Sequence, residues 1–174
     1  MKNIYVFLLL SLALPLSAKV LISPLDAMKD VYGQDSKVVK KNIMLSKSKF
    51  ESIQKSAEVK LSTKIYRIFT ATKDDKVLGY GVLVNNKVRS KNAVVLYFIS
   101  EDILKSIEVI AFNEPQEYIP TKTWNDQFRN IDTDNMLLLN RDIPTITGAT
   151  LSARSITDSS RVAFSIYNEL LKDK

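Results

Sequence analysis

The chain has 174 residues, a formal net charge of +6, and apolar and charged fractions of 45% and 25%, ordinary values for one globular domain. It contains no cysteine and no histidine. Those absences exclude thiolate zinc sites, iron–sulfur clusters, c-type haem attachment, cysteine nucleophiles and any triad with an imidazole base. A redox protein of this composition needs an organic cofactor.

In chain order, Met1-Lys2-Asn3 is a short positive start, and Ile4 to Leu16 is apolar apart from Tyr5, Ser11 and Pro15. Leu16-Ser17-Ala18 places a small residue at a cleavage position. This predicts a signal peptide over 1–18, a mature domain over 19–174 and a periplasmic location. The apolar run is shorter than the ~20 residues that usually span a bilayer. Leu16 is a poor fit three positions before the cut, which leaves a retained anchor as the alternative. Residues 1–18 carry one lysine and no acid, so the cleaved chain has a net charge of +5. The lysines between Lys37 and Lys64 read as a solvated surface, or as loose attraction to anionic lipid or an acidic partner. No nucleic-acid motif is present, and the basic residues are not interleaved with aromatics.

Ser23-Pro24 predicts a short helix with Ser23 as cap, ended by Gly33. Val38 to Leu45 reads as extended. Ser46 or Ser48 caps a second helix over about 49–58, with Phe50, Ile53 and Ala57 on one face. Four strands follow, over about 61–72, 77–84, 93–99 and 104–112. Turns are expected at Lys73 to Lys76, at Asn85-Asn86 and at Ser100 to Asp102. Ala93 to Ile99 has the continuous apolar character of a central strand. In the last strand Ile107, Val109 and Ala111 are expected on one face, with Ser106, Glu108 and Ile110 on the other. Short turns make the four an antiparallel meander.

Glu114 to Pro120 holds two prolines and reads as a stiff loop. Thr121 opens a short helix with Trp124, Gln127 and Phe128. Trp124, the single tryptophan, is either core or part of a wall for a planar ligand. A final helix runs from about Leu151 to Leu171, with Ile156, Ala163, Ile166, Tyr167 and Leu170 at helical spacing. On another face Arg154, Asp158 and Arg161 are spaced to pair.

Ahead of that helix stands Thr147-Gly148-Ala149-Thr150-Leu151-Ser152. Thr150 falls at or within one residue of the helix start, where free N–H groups and the dipole favour a phosphate. Gly148 and Ala149 add little bulk beside the Thr150 hydroxyl, and Gly148 can take a positive φ. On spacing alone, Thr147 or Thr150 reads by default as an ordinary N-cap. Arg154 and Arg161 either lend charge to a phosphate or simply pair with Asp158.

The hexapeptide resembles the Ser/Thr-Gly-Ala-Thr-x-Ser/Thr attachment motif of the FMN-binding domain family. That family includes the C subunit of sodium-pumping NADH:quinone reductases and the G subunit of Rnf complexes. Glu114-Pro115-x-Glu117-Tyr118-x-Pro120, with Trp124 and Gln127-Phe128, is similar to a second family region. It stands where the large-complex subunits have Glu-Thr-Pro-Gly-Leu-Gly. The resemblance spans about 77–171 and is strongest at the hexapeptide.

The resemblance implies an α+β fold, a bent antiparallel sheet packed with helices and a long C-terminal helix after the attachment motif. It implies FMN joined through its phosphate to Thr150, with Thr147, Gly148, Ala149, Leu151 and Ser152 as recognition frame and Glu114, Tyr118 and Trp124 near the cofactor. Its implied partners are an FAD-dependent flavin transferase that uses magnesium, and a redox partner protein, soluble or membrane-bound. The departure at the second region suggests a stand-alone periplasmic electron carrier, not a pump subunit. A non-covalent binding module and a reductase of a small extracytoplasmic acceptor are the competing readings.

Overall fold

Each strand of the sheet pairs with the next one along the chain. A computed structural model describes residues 20–172, so the signal-peptide reading of residues 1–18 lies outside the described residues. Helix α1 (Pro24–Tyr32) is followed by β1 (Lys37–Met44), α2 (Lys47–Ala57), β2 (Ile65–Lys73), β3 (Lys76–Lys87), β4 (Asn92–Ser100) and β5 (Ile103–Phe112). A 3₁₀ turn at Gln116–Tyr118, α3 (Lys122–Asn125), β6 (Ile131–Asp132) and α4 (Thr150–Leu170) complete the order. The sheet has six strands in sequence order, all neighbours antiparallel. The fold is α+β, with four helices and a long C-terminal one.

The two tight hairpins follow from their turn residues. Asp74 and Asp75 both take positive φ (48° and 60°), as do Glu101 and Asp102 (52° and 62°). Two consecutive left-handed residues match the right-handed twist of flanking strands.

The sheet differs from the expected meander in three places. The segment near Val38 is a full strand, pairing with β2 from Lys37↔Thr72 to Met44↔Ile65, and β6 adds a two-residue edge. Asn85 and Asn86 are not a turn but the end of β3, opposite Val94 and Ala93. Their polar groups are met inside the strand: Asn86 Nδ2 donates to Ser159 Oγ at 3.1 Å, and its Oδ1 accepts from Lys87 N–H at 2.9 Å. The chain turns instead at 88–91, closed by Val88 N–H on Lys91 C=O at 2.9 Å. In β5 the register slips opposite Val94/Val95, so Ala111 pairs with Val94 and leaves the face of Val109. Such a bulge re-aims a side chain and bends its strand.

β4 is buried on both faces, as its unbroken apolar run predicts. Val95, Tyr97 and Ile99 join the larger core with α2 and α4, while Leu96 and Phe98 join a smaller core under α1. Tyr97 is fully buried, and its hydroxyl donates to Ile156 C=O at 2.8 Å, fixing α4 to the sheet. On the other face α1 approaches closely because β3 has Gly81, where a Cβ would meet Met28 Sδ at 2.5 Å.

Arg161 ties α4 to α2. It is 9% exposed and donates to Ala57 C=O (2.8 Å), Leu137 C=O (2.7 Å) and Asp158 Oδ1 (2.9 Å). Further along, Lys49 pairs with Glu169 at 2.7 Å, and Ser52 donates to the same carboxylate. These contacts hold the helix whose first turn forms the site.

Candidate functional site

The start of α4 differs from the other helix starts. Ser23 caps α1 through Leu25 N–H, Ser46 caps α2 through Lys49 N–H, and Thr121 caps α3 through Trp124 N–H. In α4 the cap position is Ala149, which has no side chain to cap with, and Thr150 is already the first helical residue. The expectation of a Thr147 or Thr150 cap is therefore corrected. Gly148 at φ +80° turns the chain so that Ala149 precedes the helix, its N–H donating to Ile146 C=O at 2.9 Å.

The consequence is a set of open donors. Ser152 and Ala153 N–H groups fold back on Ala149 C=O at 3.0 and 3.1 Å. The N–H groups of Thr150 and Leu151 find no protein acceptor among the described residues. Ser152 is only 1% exposed, and its Oγ is buried with no hydrogen-bond partner. A buried hydroxyl without a partner is a costly exception in native proteins.

These groups line a cavity of about 240 Å3 formed by Gly148, Ala149, Thr150, Leu151 and Ser152 on one side. Val88, Arg89, Glu114 and Tyr118 complete it. Residues distant in sequence meet here because the 88–91 turn and the segment after β5 end beside the start of α4. Thr150 is exposed, so its hydroxyl is open to another macromolecule.

Glu114 is 8% exposed, and its carboxylate is engaged by the 88–91 turn. Oε1 accepts from the N–H groups of Arg89 (3.1 Å), Ser90 (2.6 Å) and Lys91 (2.7 Å), and Ser90 Oγ lies 3.3 Å from both oxygens. The Lys91 amide leads in holding its pKa below the ordinary carboxylate value, with Ser90 and Arg89 adding to it and burial opposing.

The structure does not bring Thr147 or Trp124 to this lining. Thr147 is exposed. Trp124 is core: 7% exposed, its ring centroid 5.1 Å from that of Phe128, its Nε1–H donating to Pro144 C=O at 2.8 Å. It anchors the segment that leads into the motif. Arg154 is exposed and outside the lining. Arg161 lies eleven residues past Thr150, about 16 Å along the helix, and serves α2. Sequence reasoning missed Arg89 and Val88. The signal was the Lys87-to-Lys91 break between two apolar runs, passed over in favour of the asparagine pair.

A larger groove of about 470 Å3 runs between α1 and α3 across β5. Its charges are mixed in sign: Asp126 pairs with Arg129 at 2.6 Å, and Lys122 faces Glu108. Among the described residues no cluster of three or more acidic ligands could hold a metal ion, and no helix is long and apolar enough to cross a membrane. No family model matches the chain, and no curated protein matches it in sequence.

Chemically, the cavity collects donors: two N–H groups without a protein acceptor at the positive end of a 21-residue helix and a buried hydroxyl, with one cationic residue, Arg89, in the lining. That set suits a phosphate or another oxyanion. The residues present fit a phosphate-bearing cofactor.

Proposed function

We propose that this chain is an exported electron-transfer flavoprotein that holds FMN through a phosphoester to Thr150. It relays electrons in an extracytoplasmic redox chain. The observation that carries the reading is the Ser152 hydroxyl, buried and unpaired in a cavity built around the threonine that the motif singles out. A phosphate on Thr150 would give that hydroxyl and the Thr150 and Leu151 N–H groups their missing acceptor.

In the attachment step the Thr150 hydroxyl oxygen forms a bond to the FMN-side phosphorus of FAD. The pyrophosphate bond breaks, AMP leaves, and the hydroxyl proton passes to solvent. A flavin transferase with magnesium supplies the catalysis, and the exposure of Thr150 gives it access. When bound, FMN would supply the electron exchange, in a chain that has no Cys or His to hold an iron–sulfur or haem centre. This chain's residues bind and orient: the first turn of α4 and Ser152 take the phosphate, and Tyr118 offers an aromatic wall. A cavity of about 240 Å3 is smaller than the ~300–1,000 Å3 that encloses a drug-sized ligand. It takes part of a flavin nucleotide and leaves the rest accessible, which favours exchange with a redox partner protein. Covalent attachment prevents loss by dilution outside the cytoplasm.

The test is to co-express the chain with a flavin transferase and measure intact mass and in-gel fluorescence after denaturation. The expected mass is that of the chain plus one FMN less one water, and Thr150→Ala should abolish it while the fold survives. An unmodified wild-type mass with no retained fluorescence would refute the reading.

A further inference from the structure

The cavity presents a contradiction that the flavin reading alone does not resolve. A site that collects donors for an anion also contains the carboxylate of Glu114. A carboxylate beside a phosphate repels it, so its presence needs another reason. The hydrogen bonds supply one: Glu114 gathers three consecutive N–H groups of the 88–91 turn onto one oxygen. Arg89 is the second residue of that turn and the one cation in the cavity's lining. Arg89 is exposed, and its guanidinium has no hydrogen bond or ion pair to the protein among the described residues; those of Arg129, Arg141 and Arg161 are paired with acids, and that of Arg154, equally unpaired, lies outside the lining.

We infer that Arg89 is the counter-charge for the anionic ligand of this cavity, and that Glu114 is a positioning residue that holds the 88–91 turn so that Arg89 faces the first turn of α4. The inference rests on the reading that a phosphate group occupies the cavity. Arg89 meets the phosphate from the wall opposite the helix start, with the planar donor geometry that suits oxyanions. Glu114 acts through the backbone. Its own charge is already solvated by N–H dipoles, as a carboxylate in a ring of amides should be.

Positioning and bare electrostatics give opposite signs for one substitution, which makes the inference testable. Glu114→Gln removes a negative charge from an anion site. If charge alone mattered, anion affinity would rise. If Glu114 positions Arg89, affinity falls, because a neutral amide oxygen holds three N–H groups less well and the turn loosens.

The experiment uses the unloaded full chain and inorganic phosphate as probe. Affinity is read from titration of the Thr150 and Leu151 amide signals by nuclear magnetic resonance. Arg89→Gln should weaken phosphate binding by about five-fold, the size of one charge contact about 4 Å away in a water-like medium. Arg154→Gln, on the same helix but outside the cavity, should change it by less than two-fold. Glu114→Gln should weaken it, and Ser90→Ala, which keeps the charge but removes the hydroxyl from the carboxylate, should weaken it in the same direction by less. Tighter binding in Glu114→Gln would overturn the positioning role, and so would an unchanged affinity in Ser90→Ala should Glu114→Gln fail to fold. Equal effects of Arg89→Gln and Arg154→Gln would overturn the Arg89 assignment. Flavin incorporation separates this inference from the reading beneath it. If Thr150 takes no flavin yet phosphate binds with this residue dependence, the flavin reading falls and the anion assignment stands. If flavin attaches while phosphate affinity ignores Arg89, the reverse holds.

Discussion

Ser152→Ala should change stability in opposite directions with and without the cofactor. Without a ligand, the Ser152 hydroxyl sits at 1% exposure with no partner. An unsatisfied buried group of this kind costs about 1–3 kcal/mol. Deleting it removes that cost and loses only the dispersion contacts of one oxygen. The net expectation is a gain of about 1 kcal/mol, which is about 2–4 °C in Tm for a domain of this size. Alanine is also the better helix former, by a few tenths of a kcal/mol, which acts in the same direction. On the proposed function, with FMN on Thr150 the same hydroxyl would donate to a charged phosphate oxygen. A hydrogen bond to a charged group contributes about 1.5–3 kcal/mol, so its deletion should lower Tm by about 3–12 °C. The assay is thermal unfolding by circular dichroism of four samples, wild type and Ser152→Ala, each unloaded and loaded. The difference between the two mutational shifts isolates the contact with the phosphate, because intrinsic effects of the alanine cancel. A shift of the same sign and size in both forms would refute the placement of the phosphate at Ser152. A loss of stability in the unloaded form would refute the claim that the hydroxyl is unpaired there.

Other substitutions probe the frame. Gly148→Ala meets no atom within 4 Å of the new Cβ, so its whole cost is the backbone at φ +80°; about 1–2 kcal/mol is expected, with Gly148→Asn less harmful in the same melts. Arg161→Met strands Asp158, Ala57 C=O and Leu137 C=O; because Asp158 keeps 32% side-chain exposure, a loss near the low end of the buried-pair range, about 3 kcal/mol, is expected, with flavin incorporation at Thr150 unchanged by mass. Burial raises the pKa of Tyr97 well above its ordinary value of 10.0 and that of Tyr66 to about 12. A raised folded pKa stabilises fully below pH 10 and is lost as pH rises through the folded values, so unfolding free energy should fall steeply between about pH 10 and 12. Tyr97→Phe loses about 1 kcal/mol near neutral pH, from the bond to Ile156 C=O, but should show a shallower alkaline decline in denaturant titrations.

Much of the fold was legible because it is set locally. The paired aspartates at 74–75 and Glu101-Asp102 mark turns by their own conformational tolerance, and the unbroken Ala93-to-Ile99 run marks a strand covered on both sides. What failed depended on distant partners. Asn85-Asn86 has turn chemistry, yet Asn86 finds Ser159 on α4 and stays in the strand. The true turn is held by Glu114, more than twenty residues later, so the Lys87-to-Lys91 break near Ser90 is a fainter mark than the asparagine pair beside it. Ala111 changes face because of a bulge set by its pairing with Val94. Trp124 has the size of a ligand wall, but Pro144 C=O claims its indole N–H.

The site shows the same division more sharply. Among the described residues a serine or threonine stands within reach of every helix start, and three of the four cap by the ordinary rule. Spacing alone would have made α4 the fourth, with Thr147 or Thr150 as its cap. What separates it is a single-residue offset: the helix begins at Thr150, and Ala149 occupies the cap position. That offset leaves Thr150 exposed at the first helical position, and it places Ser152 two residues further on, in the cavity's lining. Capping and ligand binding compete for the same N–H groups, so a helix start that has its own cap offers less to a phosphate. The Gly148-Ala149 pair is therefore the informative part of the hexapeptide. Glycine supplies the positive φ that sets the offset, and alanine supplies the absence of a cap. Replacing Ala149 with Ser should test this: a capping serine would compete for the Leu151 amide, stabilise the unloaded chain by about 1 kcal/mol and weaken phosphate binding in the same variant. A variant that gained stability and kept its phosphate affinity would show that the open amides are not what receives the anion.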